Sequence, residues 1–424
     1  MVNAEDLIMV SVDDHLVEPP TMFDNHLPAK YKDQGAGIVR KDDGSDVWTF
    51  NGAEIPNIGL NAVAGRPRRS TASSRPPSRR CARAAGTSTT RVKDMDAGGI
   101  LGSMCFPSFP ASPPGCSPPP RTRTPRARDP ASLSDWHVDE WCGFAPGRFI
   151  PMGIPVIWDA ELAAEEVRRL ADEGVHSLTF TENPYTLGFP SFHSDHWDPL
   201  WKALVDTDTV MSIHLGSSGE LVMTAPDAPM DVLITLQPMN ICQAAADLLW
   251  SRIPKEYPSI KIALSEAAPH GSPTSSTGST GPTTCTTCGP ARTSATCRPW
   301  DVFRRHFLTC FITDPVGVKL SPRHRHGQHR LGARLPALRL VVARRRGAGR
   351  ARRDVPERTS LDEITYRDRD ALVLPTSPFL APASPRARAT VGALRRRAGD
   401  HDVSIRSLDR GRVEEAGRRR TSVR

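Results

Sequence analysis

Polar side chains that can bind a metal ion recur where short apolar runs of the chain end. Asp13 and His15 follow one such run, and Glu182, His214 and Glu266 end three later ones. Because side chains two residues apart on a strand point to the same side, Asp13 and His15 can converge on one point. Imidazole nitrogens combined with carboxylate oxygens suit a divalent cation such as zinc or manganese. The pattern therefore indicates a candidate metal site.

Each of these residues also has a purely structural interpretation. A histidine at a strand end is more often a hydrogen-bonded loop residue than a ligand, and Asp13 could cap a turn. His137, His193 and His196 lie in loops or helices beside tryptophans, and we interpret them as structural. The candidate site rests on the joint placement of its members and not on any one of them.

The elements around these residues alternate between strand and helix. The repeat is clearest over residues 134–265, where DAELAAEEVRRLADEG predicts a helix capped by Asp159 and stopped by Gly174. Strand-helix alternation at about 30-residue spacing is typical of parallel βαβ units. We predict an α/β fold, a distorted and incomplete (β/α)8 TIM barrel over residues 1–320. The carboxyl ends of barrel strands carry the chemistry in such folds, which is where the polar residues lie.

The composition is uneven along the chain. The 424 residues carry a net charge of +8 with 40 prolines and 6% aromatic residues. Four segments, here called the Lys-free segments, contain arginine but no lysine, and they cover about 66–90, 111–133, 267–299 and 321–424. They are rich in Pro, Ser, Thr, Ala and Gly, as GC-rich DNA read out of frame would be. We predict that frameshifts interrupt the barrel in the first three segments and produce the Arg-rich tail 321–424. The alternative is four genuine disordered insertions.

Cysteine usage predicts no disulfide scaffold and no zinc knuckle. The count of nine is odd and the chain is long. Cys285, Cys288 and Cys297 lie in a Lys-free segment and give three ligands, whereas structural zinc needs four. The cysteines in apolar surroundings, Cys105, Cys142, Cys242 and Cys310, are expected to be small buried hydrophobes.

The amino-terminal stretch has no basic region followed by an apolar run, so we expect no signal peptide. No window holds the ~18 apolar residues of a membrane span. The expected location is the cytoplasm, with no membrane partner.

Several stretches together resemble the amidohydrolase-related family, which holds metal-dependent hydrolases and aromatic-acid decarboxylases. They are SVDDHLVEPP, RVKDMDAGGILGSMCFPSFP, DWHVDEWC, PGRFIPMGIPVIWD, TFTENPYTLGFPSFHSDHWDPLW, IHLGSSG and IKIALSE. The segments that hold these stretches, outside the Lys-free segments, cover a little over half of the chain. The resemblance implies a distorted TIM barrel with one divalent metal ion, zinc or manganese. It implies that Asp13, His15 and His214 are metal ligands, that His214 also takes part in catalysis, and that Glu266 stands where many members have a histidine ligand.

One departure from the family concerns the Asp that follows the eighth strand. Here Arg334–Leu340, RLPALRL, contains no carboxylate. The resemblance therefore implies a hydrolase or decarboxylase for a small carboxylate, amide or lactone, with little turnover in this chain. A homo-oligomer is expected if the chain folds.

The alternative function is a basic nucleic-acid-binding protein with disordered arms, in which Arg344–Arg346 and Arg418–Arg420 contact phosphates. The chain lacks interleaved aromatics and any helix-turn-helix pattern, so no specific nucleic-acid partner is expected.

Overall fold

The computed structural model describes residues 10–22, 26, 37–42, 46–50, 53–55, 86–107, 129–220, 222–266, 299–311, 338–340 and 394. Most of each Lys-free segment lies outside these ranges, as do Cys285, Cys288, Cys297 and the arginine clusters of the tail. The predictions about them therefore stay predictions. Described helices begin inside three of these segments, at Ser88, Asp129 and Pro299, and Leu133 is buried.

The described strands, in chain order, are β1 Val10–His15, β2 Gly37–Arg40, β3 Asp46–Phe50, β4 Ala53–Ile55, β5 Gly102–Phe106, β6 Phe149–Ile150, β7 Ser177–Phe180, β8 Val210–His214, β9 Ile262–Ser265, β10 Phe307–Phe311 and β11 Leu338–Leu340. The α-helices are α1 Ser88–Gly98, α2 Asp129–Trp136, α3 Ala160–Asp172, α4 Asp198–Asp206, α5 Met230–Leu236, α6 Pro238–Leu249, α7 Ile253–Glu256 and α8 Pro299–His306. A π-helical turn, His137–Cys142, continues α2.

Eight parallel strands form the two larger sheets. One sheet has the order β1-β5-β6, and the other has the order β11-β10-β9-β8-β7. A parallel bridge between Gly153 and Leu178 joins them, and Val10 and Val12 of β1 pack with Cys310 of β10 in one buried cluster. Among the described residues no backbone pairing joins β11 to β1. The predicted α/β fold is confirmed as parallel sheets, without a closed barrel in this part of the chain.

Strand β6 is shorter than the apolar run FIPMGIPVI predicts. Only Phe149–Ile150 pairs as a strand, and the Gly153 bridge follows. Side chains of the preceding helical segment accept hydrogen bonds from the amides on either side of Gly153. Met152 N–H donates to His137 Nδ1 at 3.4 Å, and Ile154 N–H donates to Ser134 Oγ at 3.0 Å. The local sequence also marks the interruption, because Pro151 and Pro155 have no amide hydrogen to donate to a neighbouring strand.

Helix α3 forms as its sequence predicts. The Asp159 side chain accepts from the amides of Glu161 and Leu162 at 3.0 and 3.1 Å, which satisfies two donors that the first turn leaves free. Gly174, at φ 83°, follows the helix in the left-handed region. The buried face of α3 belongs to the largest core cluster, together with α4, α6 and strands β7, β8 and β9.

Strands β2, β3 and β4 form a separate antiparallel sheet. The helical stretch Asp231–Leu249 has the length and composition of a membrane span. A third of its most apolar window is buried, and Ile241 and Leu248 pack in the largest core cluster. The expectation that no window of the chain is apolar enough for a membrane span is therefore wrong for this stretch, by length and composition.

Candidate metal centre

Strands β1 and β8 end beside each other and bring three predicted ligands together. Asp13, His15 and His214 each offer a ligand atom, and these atoms lie within 4.8 Å of one another. Asp13 is buried and the two histidines are half-buried. A register shift in the β1–β5 pairing between Ser11 and Asp14 accompanies the end of β1. The side chains of Asp13 and His15 reach the same cluster, as expected for residues two positions apart on a strand.

The ligand atoms of this cluster have no hydrogen-bond partner outside it. Asp13 Oδ1, His15 Nδ1 and His214 Nε2 are shielded from solvent. Asp13 Oδ1 and His214 Nε2 lie 3.2 Å apart, and they form an ion pair when the imidazole is protonated. Buried polar atoms without partners are costly, and three that converge fit a shared cation. The donor set of two imidazoles and one carboxylate suits zinc or manganese.

Outer contacts fix how each ligand is presented. Asp13 Oδ2 accepts from the Glu266 amide at 3.1 Å and from the Cys310 thiol at 3.4 Å, which leaves Oδ1 for the cluster. His214 Nδ1 donates to the Leu215 carbonyl at 2.7 Å, so that Nε2 faces inward. Such outer partners orient the ligands of a metal site and select the histidine tautomer.

Glu266 is the predicted ligand that the structure does not bring into the cluster. It follows β9 in the left-handed region, at φ 55°, and its main-chain amide contacts Asp13. Burial raises the pKa of its carboxyl, and the Asp13 charge adds to this, while His214 opposes it. Glu266 supports a ligand through its backbone, and direct ligation by its carboxylate stays a prediction.

The charges of the cluster depend on one another. Burial and the neighbouring His214 lower the pKa of His15 to about 3. Burial also acts to lower the pKa of His214, but the Asp13 carboxylate outweighs it and raises that pKa to about 9. Burial opposes ionisation of Asp13, yet the two imidazoles hold the pKa of its carboxyl below the ordinary value. A cation that binds here would displace the proton of His214.

Aromatic and cationic groups surround the two histidines. The His214 ring lies 4.5 Å from the His15 ring, nearly edge-on, and 4.8 Å from the Phe106 ring. The Arg91 guanidinium, from α1, donates to the His15 carbonyl. Sequence reasoning missed Arg91, Phe106 and Cys310, because nothing local in their segments distinguishes them from ordinary helix or strand residues.

The other polar residues singled out in the sequence lie elsewhere. Glu182 hydrogen-bonds the loop that follows β8, and His137 bonds to the backbone of Cys105 and Met152. His193 pairs with Asp247 at 2.6 Å on the exposed side, and His196 stacks edge-on against Trp197. None of these contacts joins His137, His193 or His196 to the cluster, and the structural interpretation of the three histidines stays a prediction.

Comparison with known families agrees with the predicted resemblance. Residues 121–302 match the family described as amidohydrolase, which confirms the resemblance over that part of the chain. The matched segment includes His214 and Glu266, while Asp13 and His15 precede it. No curated protein matches the whole sequence.

Solved structures share the architecture. An amidohydrolase from Mycobacterium avium subsp. paratuberculosis is 16% identical with a TM-score of 0.59, and the match covers 87% of this chain and 98% of that one. A 2,6-dihydroxybenzoate decarboxylase from Rhizobium is 15% identical at a TM-score of 0.54, over 86% and 98% of the two chains. A dihydroxybenzoic acid decarboxylase from Polaromonas sp., with bound manganese and the inhibitor 2-nitroresorcinol, is 16% identical at 0.55, over 88% and 99%. At these identities the likeness shows the fold.

Proposed function

We propose, from the amidohydrolase family that residues 121–302 match, that this chain is a metal-dependent hydrolase or decarboxylase. The observation that carries the proposal is the convergence of ligand atoms from Asp13, His15 and His214, which are shielded from solvent and have no hydrogen-bond partner outside the cluster. They lie at the carboxyl ends of β1 and β8, where barrel enzymes hold their reacting groups.

The proposed cofactor is one divalent ion, zinc or manganese. Both accept nitrogen and oxygen ligands, and manganese is the ion in the Polaromonas decarboxylase. When bound, such an ion supplies Lewis acidity, which polarises a substrate carbonyl or carboxylate or activates water. Asp13 Oδ1, His15 and His214 Nε2 would hold it.

His214 has one free ring nitrogen, and this limits its role. Because Nδ1 donates to the Leu215 carbonyl, only Nε2 can bind an ion or carry a proton. Its predicted catalytic role and its predicted ligand role therefore exclude each other at any one moment. The position of Nε2 beside Asp13 Oδ1, at 3.2 Å, favours the ligand role when an ion is present.

The proposed turnover is low. The resemblance implies a carboxylate after the eighth strand as the group that moves a proton in hydrolysis, and residues 334–340 contain none. Metal binding needs only the ends of β1 and β8, whereas the chemical step needs the further carboxylate. Binding without much turnover is the expected result.

The first experiment tests metal binding. The purified chain is stripped of metal and then titrated with Mn²⁺ or Zn²⁺, with bound metal measured by mass spectrometry. One tightly bound ion per chain is expected for the wild type and the His193→Ala control, whose histidine lies in an exposed pair. Asp13→Ala and His214→Ala should bind far less. Equal binding by all four proteins would refute the site.

The second experiment tests the reaction. The loaded protein is incubated with 2,6-dihydroxybenzoate or 5-carboxyvanillate, the substrates in the names of similar structures, and CO₂ is measured. Model amides and lactones test hydrolysis in parallel. Product formation that is lost on chelation and in His214→Ala supports the proposal, and metal-independent turnover contradicts it.

The nucleic-acid-binding alternative has no support from the comparisons. A steep salt dependence of DNA binding, with no bound metal, would favour it. A small-molecule substrate, a homo-oligomeric state and a cytoplasmic location stay predictions from the sequence.

A further inference from the structure

Glu182 is a buried carboxylate that stands just outside the metal cluster. It follows β7, is 3% exposed, and takes part in none of the ion pairs found among the described residues. Its carboxylate accepts from the Gly216 amide at 2.9 Å and from the Ser218 hydroxyl at 2.6 Å. The Asn240 side-chain amide, from α6, approaches it at 3.4 Å. A buried charge held only by neutral donors has a specific structural task.

The donors belong to the loop that directly follows His214. Ser217 Oγ donates to the His214 carbonyl at 2.6 Å and accepts from the Glu182 amide at 2.9 Å. Both the backbone and the side chain of Glu182 therefore hold residues 216–218. The turn depends on Gly216, whose φ of 83° disfavours any residue with a side chain.

The same loop sets the orientation of the His214 ring. The Leu215 carbonyl, which accepts from His214 Nδ1 at 2.7 Å, lies between His214 and the clamped Gly216. Moving the Gly216 amide would move this carbonyl, and the ring would lose the bond that directs Nε2 toward Asp13. We propose that Glu182 is a positioning residue that fixes the His214 imidazole for metal binding, an inference that rests on the proposed metal site.

Substitution by glutamine separates this role from general packing. Glu182→Gln keeps the size of the side chain but replaces one acceptor oxygen with an NH₂ group. The Gly216 amide, the Ser218 hydroxyl and the Asn240 side chain all donate to the Glu182 carboxylate, and the variant keeps only one acceptor oxygen for them. Of these groups, the Ser218 hydroxyl can turn to accept from the new NH₂ group, and it then gives up its own bond to residue 182. Glu166→Gln is the matched control, because Glu166 is also a buried carboxylate but pairs with Arg169 on α3.

The first measurement uses Co²⁺ as a spectroscopic probe of the wild type and both variants. Wild type and Glu166→Gln should bind Co²⁺ with the same affinity and the same visible spectrum. Glu182→Gln should bind roughly 10- to 100-fold more weakly, the usual effect of losing an outer partner, with an altered spectrum. Ser218→Ala removes one donor only and should weaken binding several-fold, which keeps the test available if Glu182→Gln does not fold.

The second measurement needs no metal. In the metal-free protein the His214 Nδ1 proton, bonded to the Leu215 carbonyl, should give a protected NMR resonance in wild type and Glu166→Gln. Glu182→Gln should lose it by exchange with water. A wild type that binds no Co²⁺ but shows this difference would refute the metal site and support the positioning role. A Glu182→Gln protein that keeps both the resonance and the wild-type affinity would overturn the inference.

Discussion

The buried imidazole of His137 makes folding stability depend on pH. His137 Nε2 donates to the Cys105 carbonyl at 3.2 Å, while Nδ1 accepts from the Met152 amide at 3.4 Å. One ring nitrogen donates and the other accepts, which defines a neutral ring. A proton added at Nδ1 would point at the Met152 N–H. It would break the hydrogen bond that links the π-helical turn to the segment after β6.

The size of the effect follows from the pKa. Burial lowers the pKa of His137 from 6.5 to about 4. Since the folded pKa is lower than the unfolded one, the unfolded chain binds the proton more readily. The stability that the neutral His137 ring contributes is therefore fully present above pH 6.5. It is lost as the pH falls toward the pKa of His137 in the folded protein, about 4. A shift of that size corresponds to about 3 kcal/mol of unfolding free energy.

The assay is urea unfolding at about pH 7.5 and about pH 4.5 for wild type, His137→Gln and a His193→Gln control. Other titrating groups are common to the three proteins and cancel in the comparison. Wild type and the control should lose about 2.5 kcal/mol more than His137→Gln between the two pH values. If His137→Gln keeps the full wild-type pH dependence, the assignment of this effect to His137 is refuted.

Three further substitutions test the packing around the site. Asp159→Ala should lower the unfolding free energy by about 1 kcal/mol in thermal unfolding, because two amides of α3 lose their acceptor. Asp159→Asn should retain most of the stability, and equal losses in the two variants would contradict the cap. Trp201→Ala should lower the unfolding free energy by about 3–5 kcal/mol in denaturant unfolding, because the buried ring packs edge-on against Phe180. Trp201→Phe should cost much less, since it keeps an aromatic ring and the buried indole N–H has no partner to lose. Arg148→Ala should cost about 1–3 kcal/mol, because Asp96 and two backbone carbonyls lose their half-buried donor, and Arg148→Lys should recover part of this stability. An unchanged melting temperature would show that the pair contributes nothing.

Much of the fold could be predicted because its signals are local. The cap Asp159, the stop Gly174 and the apolar face between them define α3 within one stretch of sequence. His214 was predictable as a strand-end residue for the same reason, since VMSIH ends at a glycine-containing turn. Elements of this kind need no distant partner to be recognised.

The features that sequence reasoning missed depend on distant pairs. Ser134 and His137 bond to the amides of the segment after Ile150, and Cys310, nearly three hundred positions away from Asp13 in the chain, contributes to the orientation of its carboxylate. Glu182 was recognised as a strand-end carboxylate, but its use as an acceptor for the next loop could be seen only in three dimensions. Side-chain bonds between remote segments leave no periodic pattern in the sequence.

Asp13 has two tasks, and they explain why the site and the fold depend on each other. The metal cluster draws Asp13 and His15 from one sheet and His214 from the other, and the Gly153–Leu178 bridge is the one backbone pairing between these sheets in the described part of the chain. The second oxygen of Asp13 accepts hydrogen bonds from Glu266, which follows β9, and from Cys310 of β10. Both belong to the five-stranded sheet, so the carboxylate is itself a polar contact between the two sheets. Any change that separates the sheets therefore takes Asp13 Oδ1 away from His214 and removes the site, even when every ligand residue is still present in the chain.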